Sequence, residues 1–202
     1  PTSPSLQVPD KVGSPFEGGH YGGQIRMGLA IFAIVWAPKA QGETTSAWMD
    51  RYTDLQGATS CFDGMTNTCA MADAGSALGK WALGLEINGF TDWCVPARDV
   101  LELAYRHLKP STEETCASFR DGDNPSSVPA GYPYTEGNPV QTTLAAFQEG
   151  GDEAFDEVWY WSSTQSSDNS AWGQDFGDGG QYNYLGSKLF EARCRAVRLI
   201  QL

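Results

Sequence analysis

The sequence predicts one α+β domain whose first and last strands share an antiparallel sheet, with two main helices between them. Three observations predict it. Apolar residues alternate over Leu29 to Trp36 and again in short runs after Trp159, one amphipathic stripe follows Pro96, and a long turn-rich stretch runs from Pro110 to Pro139. The expected organisation is an extended Pro-rich arm over residues 1–15 and a folded body over 16–202, with a loop insertion at about 110–158.

The elements follow in order. Pro1, Pro4, Pro9 and Pro15 stand among Ser, Thr and Gln, a composition that stays extended and suits a tether onto a neighbouring subunit or a larger particle. Gly18, Gly19, Gly22 and Gly23 around His20 and Tyr21 mark tight turns into a strand ending at Met27. No Gly-Lys-Ser/Thr follows, which excludes a phosphate loop. Leu29 to Trp36 places one apolar set on each face and predicts a central strand covered on both sides. Over Thr59 to Leu83, Ala, Met, Leu and Cys predominate and glycines divide the run into one or two short helices. Cys61 and Cys69 would then share a helical face, ~12 Å apart and beyond disulfide reach.

After Pro96 the pattern is stronger. Val100, Leu101, Ala104 and Leu108 form a stripe, Asp99 favours the helix N-terminus, Glu102 can pair with Arg106, and Lys109-Pro110 ends the helix. His107 lies beside the stripe and reads as a partly buried histidine. Asn138-Pro139 predicts the start of a short helix reaching Phe147, and Asp152 to Glu157 a turn. Four strands close the chain: Trp159 to Ser163, Ala171 to Phe176, Gln181 to Tyr184 and Arg193 to Leu199.

Composition narrows the function classes. The 202 residues carry 25 acidic against 13 basic side chains, a formal net charge of -12 that repels polyphosphates and anionic bilayers, so neither nucleic-acid binding nor membrane insertion is expected. The longest apolar run, Met27 to Ala37, is far short of the ~18 residues of a membrane span. The N-terminal residues lack the pattern of a secretion signal, and Pro1 is what initiator-Met removal leaves, so a chain not exported by a cleaved signal is expected. Hydrophobic content of 41% with 12% aromatic residues predicts a packed core. Five cysteines without a C-x-x-C spacing predict buried thiols, with no structural zinc.

Several motifs carry a resemblance. Gly89-Phe90-Thr91-Asp92-Trp93-Cys94-Val95-Pro96 with the helix after it, then Tyr160-Trp161-Ser162-Ser163-Thr164, Ala171-Trp172, Phe176, Gly179-Gly180 and Arg193-Cys194-Arg195-Ala196-Val197-Arg198, occur in that order. Together with Gly18 to Gly23 and Ala37-Pro38-Lys39, they resemble a phage and prophage family of C-type-lectin-like domains. This is the bacterial Lcl C-terminal-like domain, related to phage receptor-binding variable proteins. Ala97 departs from the pattern where the family has a Ser or Thr cap, at a cost of about 1 kcal/mol, and Cys94 replaces a larger residue.

The resemblance implies a C-type-lectin-like fold and a virion-associated recognition module, a tail-fibre or tail-tip adhesin assembled in the host cytoplasm. Its partners would be a host cell-surface glycan or protein and, through the arm, other virion proteins; a homotrimer would supply avidity. Trp93, Trp161, Arg195 and Arg198 are expected to be structural. The final loops supply candidate ligand-binding residues: Gln165, Asp168, Asn169, Trp172, Gln174, Asp178, Gln181, Tyr182, Asn183 and Tyr184 mix flat aromatics with adaptable polar groups, as binding loops do. No catalytic residue, metal ligand or cofactor is assigned.

Three alternatives stay open. Calcium is one, because Asp168, Asn169, Asp175 and Asp178, and separately Asp121, Asp123 and Asn124, are hard oxygen donors, although the Glu-Pro-Asn and Trp-Asn-Asp motifs of calcium-dependent lectins are missing. Capsid or tail decoration is the second. An enzyme, hydrolytic or similar to formylglycine-generating enzymes, is the third and is not expected, because those enzymes need a matched cysteine pair near the C-terminal strands, where Cys194 stands alone.

Overall fold

The apolar alternation makes β3 (Ala30–Trp36) the strand around which the first sheet forms. The computed structural model describes residues 6–116, 121–182 and 187–202. β3 pairs antiparallel with β2 (Gly19–Met27) on one side and β10 (Val197–Gln201) on the other, so the two ends of the body lie in one sheet as expected. β1 (Pro15–Phe16) extends the sheet beyond β2, and β5 (Ser127–Val128) also pairs with β2. Ile34 and Trp36 face one core cluster while Ala33 and Val35 face another, which is the two-sided burial that the sequence pattern requires. Leu29, expected within the strand, instead sits fully exposed at the β2–β3 turn, beside Gly28 in the left-handed region.

The second sheet runs in the order β4 (Glu43–Ala47), β9 (Glu191–Arg195), β6 (Trp159–Gln165), β7 (Ala171–Asp175) and β8 (Gln181–Tyr182). The last segment, expected as a single strand, is two: β9 belongs to this sheet and β10 to the first. Ala196 is the crossing point, where its N–H donates to Gly42 O and its carbonyl accepts from Ala37 N. Arg195 and Arg198, expected on opposite faces of one strand, therefore serve different sheets.

Four helical segments lie among the described residues, where two main ones were expected: the single turn α1 (Lys39–Gly42), then α2 (Gly64–Asp73), α3 (Ala77–Leu83) and α4 (Arg98–Leu108). Asp63 caps α2 by accepting from Thr66 N at 3.0 Å, and Ser76 caps α3 by accepting from Gly79 N at 3.2 Å. Ala97 supplies no cap to α4. Thr164 Oγ1 accepts from Arg98 N at 3.0 Å and Cys61 O from Asp99 N at 2.8 Å, so tertiary partners satisfy that helix end. Val100, Leu101, Ala104 and Leu108 are buried as expected, packed with Ile25, Ile34 and Trp36. Cys61 precedes α2 and shares no helical face with Cys69.

Three further expectations change. The arm is not free from residue 8 onward: Val8 and Val12 pack on the core and Gly13 N donates to Tyr21 O at 2.7 Å. The helix expected over 139–147 is a 3-10 turn at Ala145–Phe147, because Thr142 N bonds Lys109 O and Glu149 N bonds Pro110 O instead of forming helical bonds. The excursion after α4 packs on its own chain. Glu102, buried on α4, accepts from Asn124 and from the Tyr134 hydroxyl at 2.7 Å each and pairs with Arg106 at 2.8 Å, and Arg106 donates to Gly122 O and Tyr132 O.

Candidate functional site

The β6–β7 hairpin is built by its serines. Ser166 N and Ser167 N both donate to Ser170 O, Ser167 Oγ donates to Asn169 Oδ1 at 2.7 Å, and Asp168 and Asn169 are left exposed at the tip. Beneath the tip lies Lys188, which is fully buried. Its ammonium donates to Thr53 O at 2.7 Å, Gln165 Oε1 at 2.6 Å and Asp168 O at 3.1 Å, and stands 4.7 Å from the centre of the Trp48 ring. Burial holds this lysine down at about 8, while Asp54 and Asp168 pull the other way. Gln165, a candidate ligand residue, is consumed here: it also accepts from Leu55 N and donates to Asp54 Oδ1. It is a buried connector.

Lysine, hairpin and the chain around Thr53 thus form one tied unit, and its outer surface carries the aromatics. Tyr52 is 55% exposed, Leu189 41% and Phe190 64%. Tyr52 Oη lies 3.3 Å from Ser187 Oγ, Ser187 bridges to Ser170, and Lys188 N donates to Asn169 O, so these residues and the hairpin tip form a continuous surface. The sequence reading missed Tyr52, Lys188, Leu189 and Phe190, because no local pattern distinguishes a buried loop lysine from a solvated one.

The remaining candidates divide by strand register. Gly173 pairs with Trp161 and Tyr182, whereas Gln174 pairs with Tyr160 and Gln181, so Trp172 and Tyr182 belong to opposite faces of the sheet. Tyr182 stacks on Trp159 with centroids 5.9 Å apart, in space left by Gly173, where a Cβ would run into the indole. Trp172 is half-buried and meets the Arg98 guanidinium 5.2 Å from its ring centre. Trp172 and Tyr182 therefore do not share one face of the sheet. Gln174 is buried and donates to Gly179 O, Asp178 accepts from Gly180 N, and Gln181 is sewn to the excursion through Asp121 and Gly122. Asn183 and Tyr184 lie outside the described residues.

The four structural residues are interior. Trp93 donates to Phe90 O at 3.0 Å and Trp161 to Ser46 O at 3.1 Å. Arg195 donates to Ala37 O, Glu153 O and the Glu153 carboxylate, and Arg198 grips Asp92 and Glu17 O with its guanidinium 3.8 Å from the Phe90 ring centre. Burial pushes the thiols of Cys94 and Cys194 up, which keeps both as unreactive neutral groups. Among the described residues no group of three or more His, Cys, Asp or Glu side chains is placed to hold a metal ion.

Comparison with protein-family models, with curated proteins and with solved structures finds no match.

Proposed function

We propose that this chain is a recognition module of C-type-lectin-like architecture, carried on a tailed-phage or prophage particle, that docks a host-surface glycan or protein. The observation that carries the docking surface is its construction: exposed Tyr52, Leu189 and Phe190 surround a hairpin held rigid by a buried ammonium. Exposed aromatics on a preorganised loop give contact area at low entropic cost, and Asp168, Asn169 and Ser187 beside them supply adaptable hydrogen bonds. The virion setting rests on the motif resemblance. Attachment to the particle is assigned to the N-terminal residues, and a homotrimer raises the avidity of a weak single site.

The test is a Tyr52→Ala/Phe190→Ser double variant, labelled and applied to a panel of bacterial cells beside the parent chain. Both side chains are exposed, so the melting temperature should hold while binding to the responsive strain falls by about tenfold or more. Binding that survives both changes overturns the assignment of this surface. Intact adsorption together with failed particle assembly would identify a decoration protein.

A further inference from the structure

A cleft lies at the C-terminal end of α4, where Arg106 of the Glu102 clamp reaches its wall. The helix ends in Arg106 and His107, the segment after Asn138 runs back past that end, and residues Lys11 and Val12 cross over it. Together they line an open cleft of about 370 Å³, within the size range of small-molecule sites, with Lys11, Val12, Arg106, His107, Thr142 and Leu144 among its residues. In a chain of net charge -12, Lys11, the Glu102-paired Arg106 and the neutral His107 ring line this cleft, and no carboxylate among the described residues does.

The basic groups differ in their engagement. Arg106 is bound to Glu102 and to the carbonyls of Gly122 and Tyr132. Lys11 is exposed, and neither its ammonium nor the His107 imidazole has a hydrogen-bond partner among the described residues. Apolar Val12 and Leu144 form the remaining wall. We propose that this cleft binds a small oxyanion, a carboxylate or phosphate on a short apolar stem, seated between the Lys11 ammonium and the His107 ring.

Proton binding at His107 would be linked to occupancy. Burial and the neighbouring Arg106 charge hold His107 down at about 4, so the empty cleft presents a neutral ring. Arg106 is the charged group acting on it, with Glu102 behind Arg106, and Lys11 lines the same cleft; the segment from Asn138 to Leu144 contains no titratable side chain, and β2 approaches at Gly23. An anion arriving beside the ring favours the imidazolium, so the His107 titration should move upward with occupancy.

The chain has two histidines, so imidazole NMR resolves the question directly. His20, held near Gly13 O and Glu153, is the internal reference. The probes are inorganic phosphate and butyrate at constant ionic strength. The expected result is saturable movement of the His107 resonances with one or both probes, His20 unmoved, and affinity weakened about tenfold by Lys11→Glu, a change at an exposed position that leaves folding intact. Phosphate alone or butyrate alone would fix the headgroup class. Movement with neither, parallel unsaturated drift of both histidines, or undiminished affinity in Lys11→Glu would overturn the proposal. A His107→Gln variant that is folded by circular dichroism and still binds the probe with parental affinity would also overturn it.

Discussion

Replacing Lys188 by Met tests whether one buried ammonium holds the β6–β7 hairpin to the chain around Thr53. The parent makes three charge-assisted bonds, to Thr53 O, Gln165 Oε1 and Asp168 O. The lowered pKa shows that these bonds do not fully offset the burial of the ammonium, a cost that substitution relieves. Substitution also deprives the three oxygens of that donor, at about 1–3 kcal/mol each, for a net loss of about 3 kcal/mol. Methionine keeps an apolar neighbour for Trp48, so the loss belongs to the oxygens. The Thr53 amide, bonded to Asp168 O, and the Leu55 amide, bonded to Gln165, should exchange with solvent far faster in the variant. The pH dependence has a definite sign. The folded chain holds the Lys188 proton less tightly than the unfolded chain, about 8 against about 10.4, so unfolding takes up protons between those values and parental stability rises with pH across them. Between pH 7 and 9.5 the rise works out to about 2 kcal/mol. Urea denaturation of both chains at several pH values isolates the contribution, since other titrating groups cancel in the difference. Equal stabilities, unchanged Thr53 protection and parallel pH profiles would refute the reasoning.

Gly173→Ala should force Trp159 off Tyr182 at a cost of about 1–3 kcal/mol, visible as a changed near-ultraviolet circular dichroism spectrum with secondary structure retained. Glu102→Gln should set an amide N–H₂ either against the Asn124 donor or against the Tyr134 and Arg106 donors and loosen the excursion, so that chymotrypsin cleaves after the buried Tyr134 many times faster than in the parent. Arg195→Met should strand the Ala37 and Glu153 carbonyls and cost about 3–5 kcal/mol by chemical denaturation; a loss below 1 kcal/mol would contradict the structural role given to this arginine.

What the sequence disclosed, and what it concealed, follows from the range of the interactions. α4 was legible because its apolar stripe and its Glu102–Arg106 pair are properties of neighbouring residues, and the β2–β3–β10 pairing because alternation marks each strand by itself. β4, whose sequence Glu-Thr-Thr-Ser-Ala has no apolar alternation, is a strand because β9 pairs with it, and nothing local announces that. The candidate binding residues were chosen by composition, which fixes residue type and not face. Trp172 and Tyr182 separate because the turn between β7 and β8 sets Tyr182 opposite Gly173, a register decided by chain geometry. Tyr52 and Phe190 meet the same surface from segments far apart in the chain, and only the fold joins them.

The polar interior follows one rule that ties the surface readings together. Irregular segments carry carbonyls that no ladder satisfies, and this chain meets many of them with cations: Lys39 at Ala154, Arg106 at Gly122 and Tyr132, Lys109 at Glu113 and Pro139, Lys188 at Thr53 and Asp168, Arg195 at Ala37 and Glu153, and Arg198 at Glu17. Arg51 does the same at the surface, at Ala74 O, and the six named above, of 13 basic side chains in the sequence, are drawn inward onto the backbone. Their charges are turned inward while most acidic groups face solvent, so the field outside the molecule is more uniformly negative than its composition states. In that field an exposed lysine without an ion-pair partner is electrically conspicuous, and the cleft beside Lys11 is where such a charge meets an unbonded imidazole. Asp168 stands exposed beside Tyr52 and Phe190 with the buried Lys188 ammonium beneath it. A ligand docking there should therefore carry neutral or cationic hydrogen-bond donors toward its carboxylate, and its affinity should fall with added salt if the charge is positive.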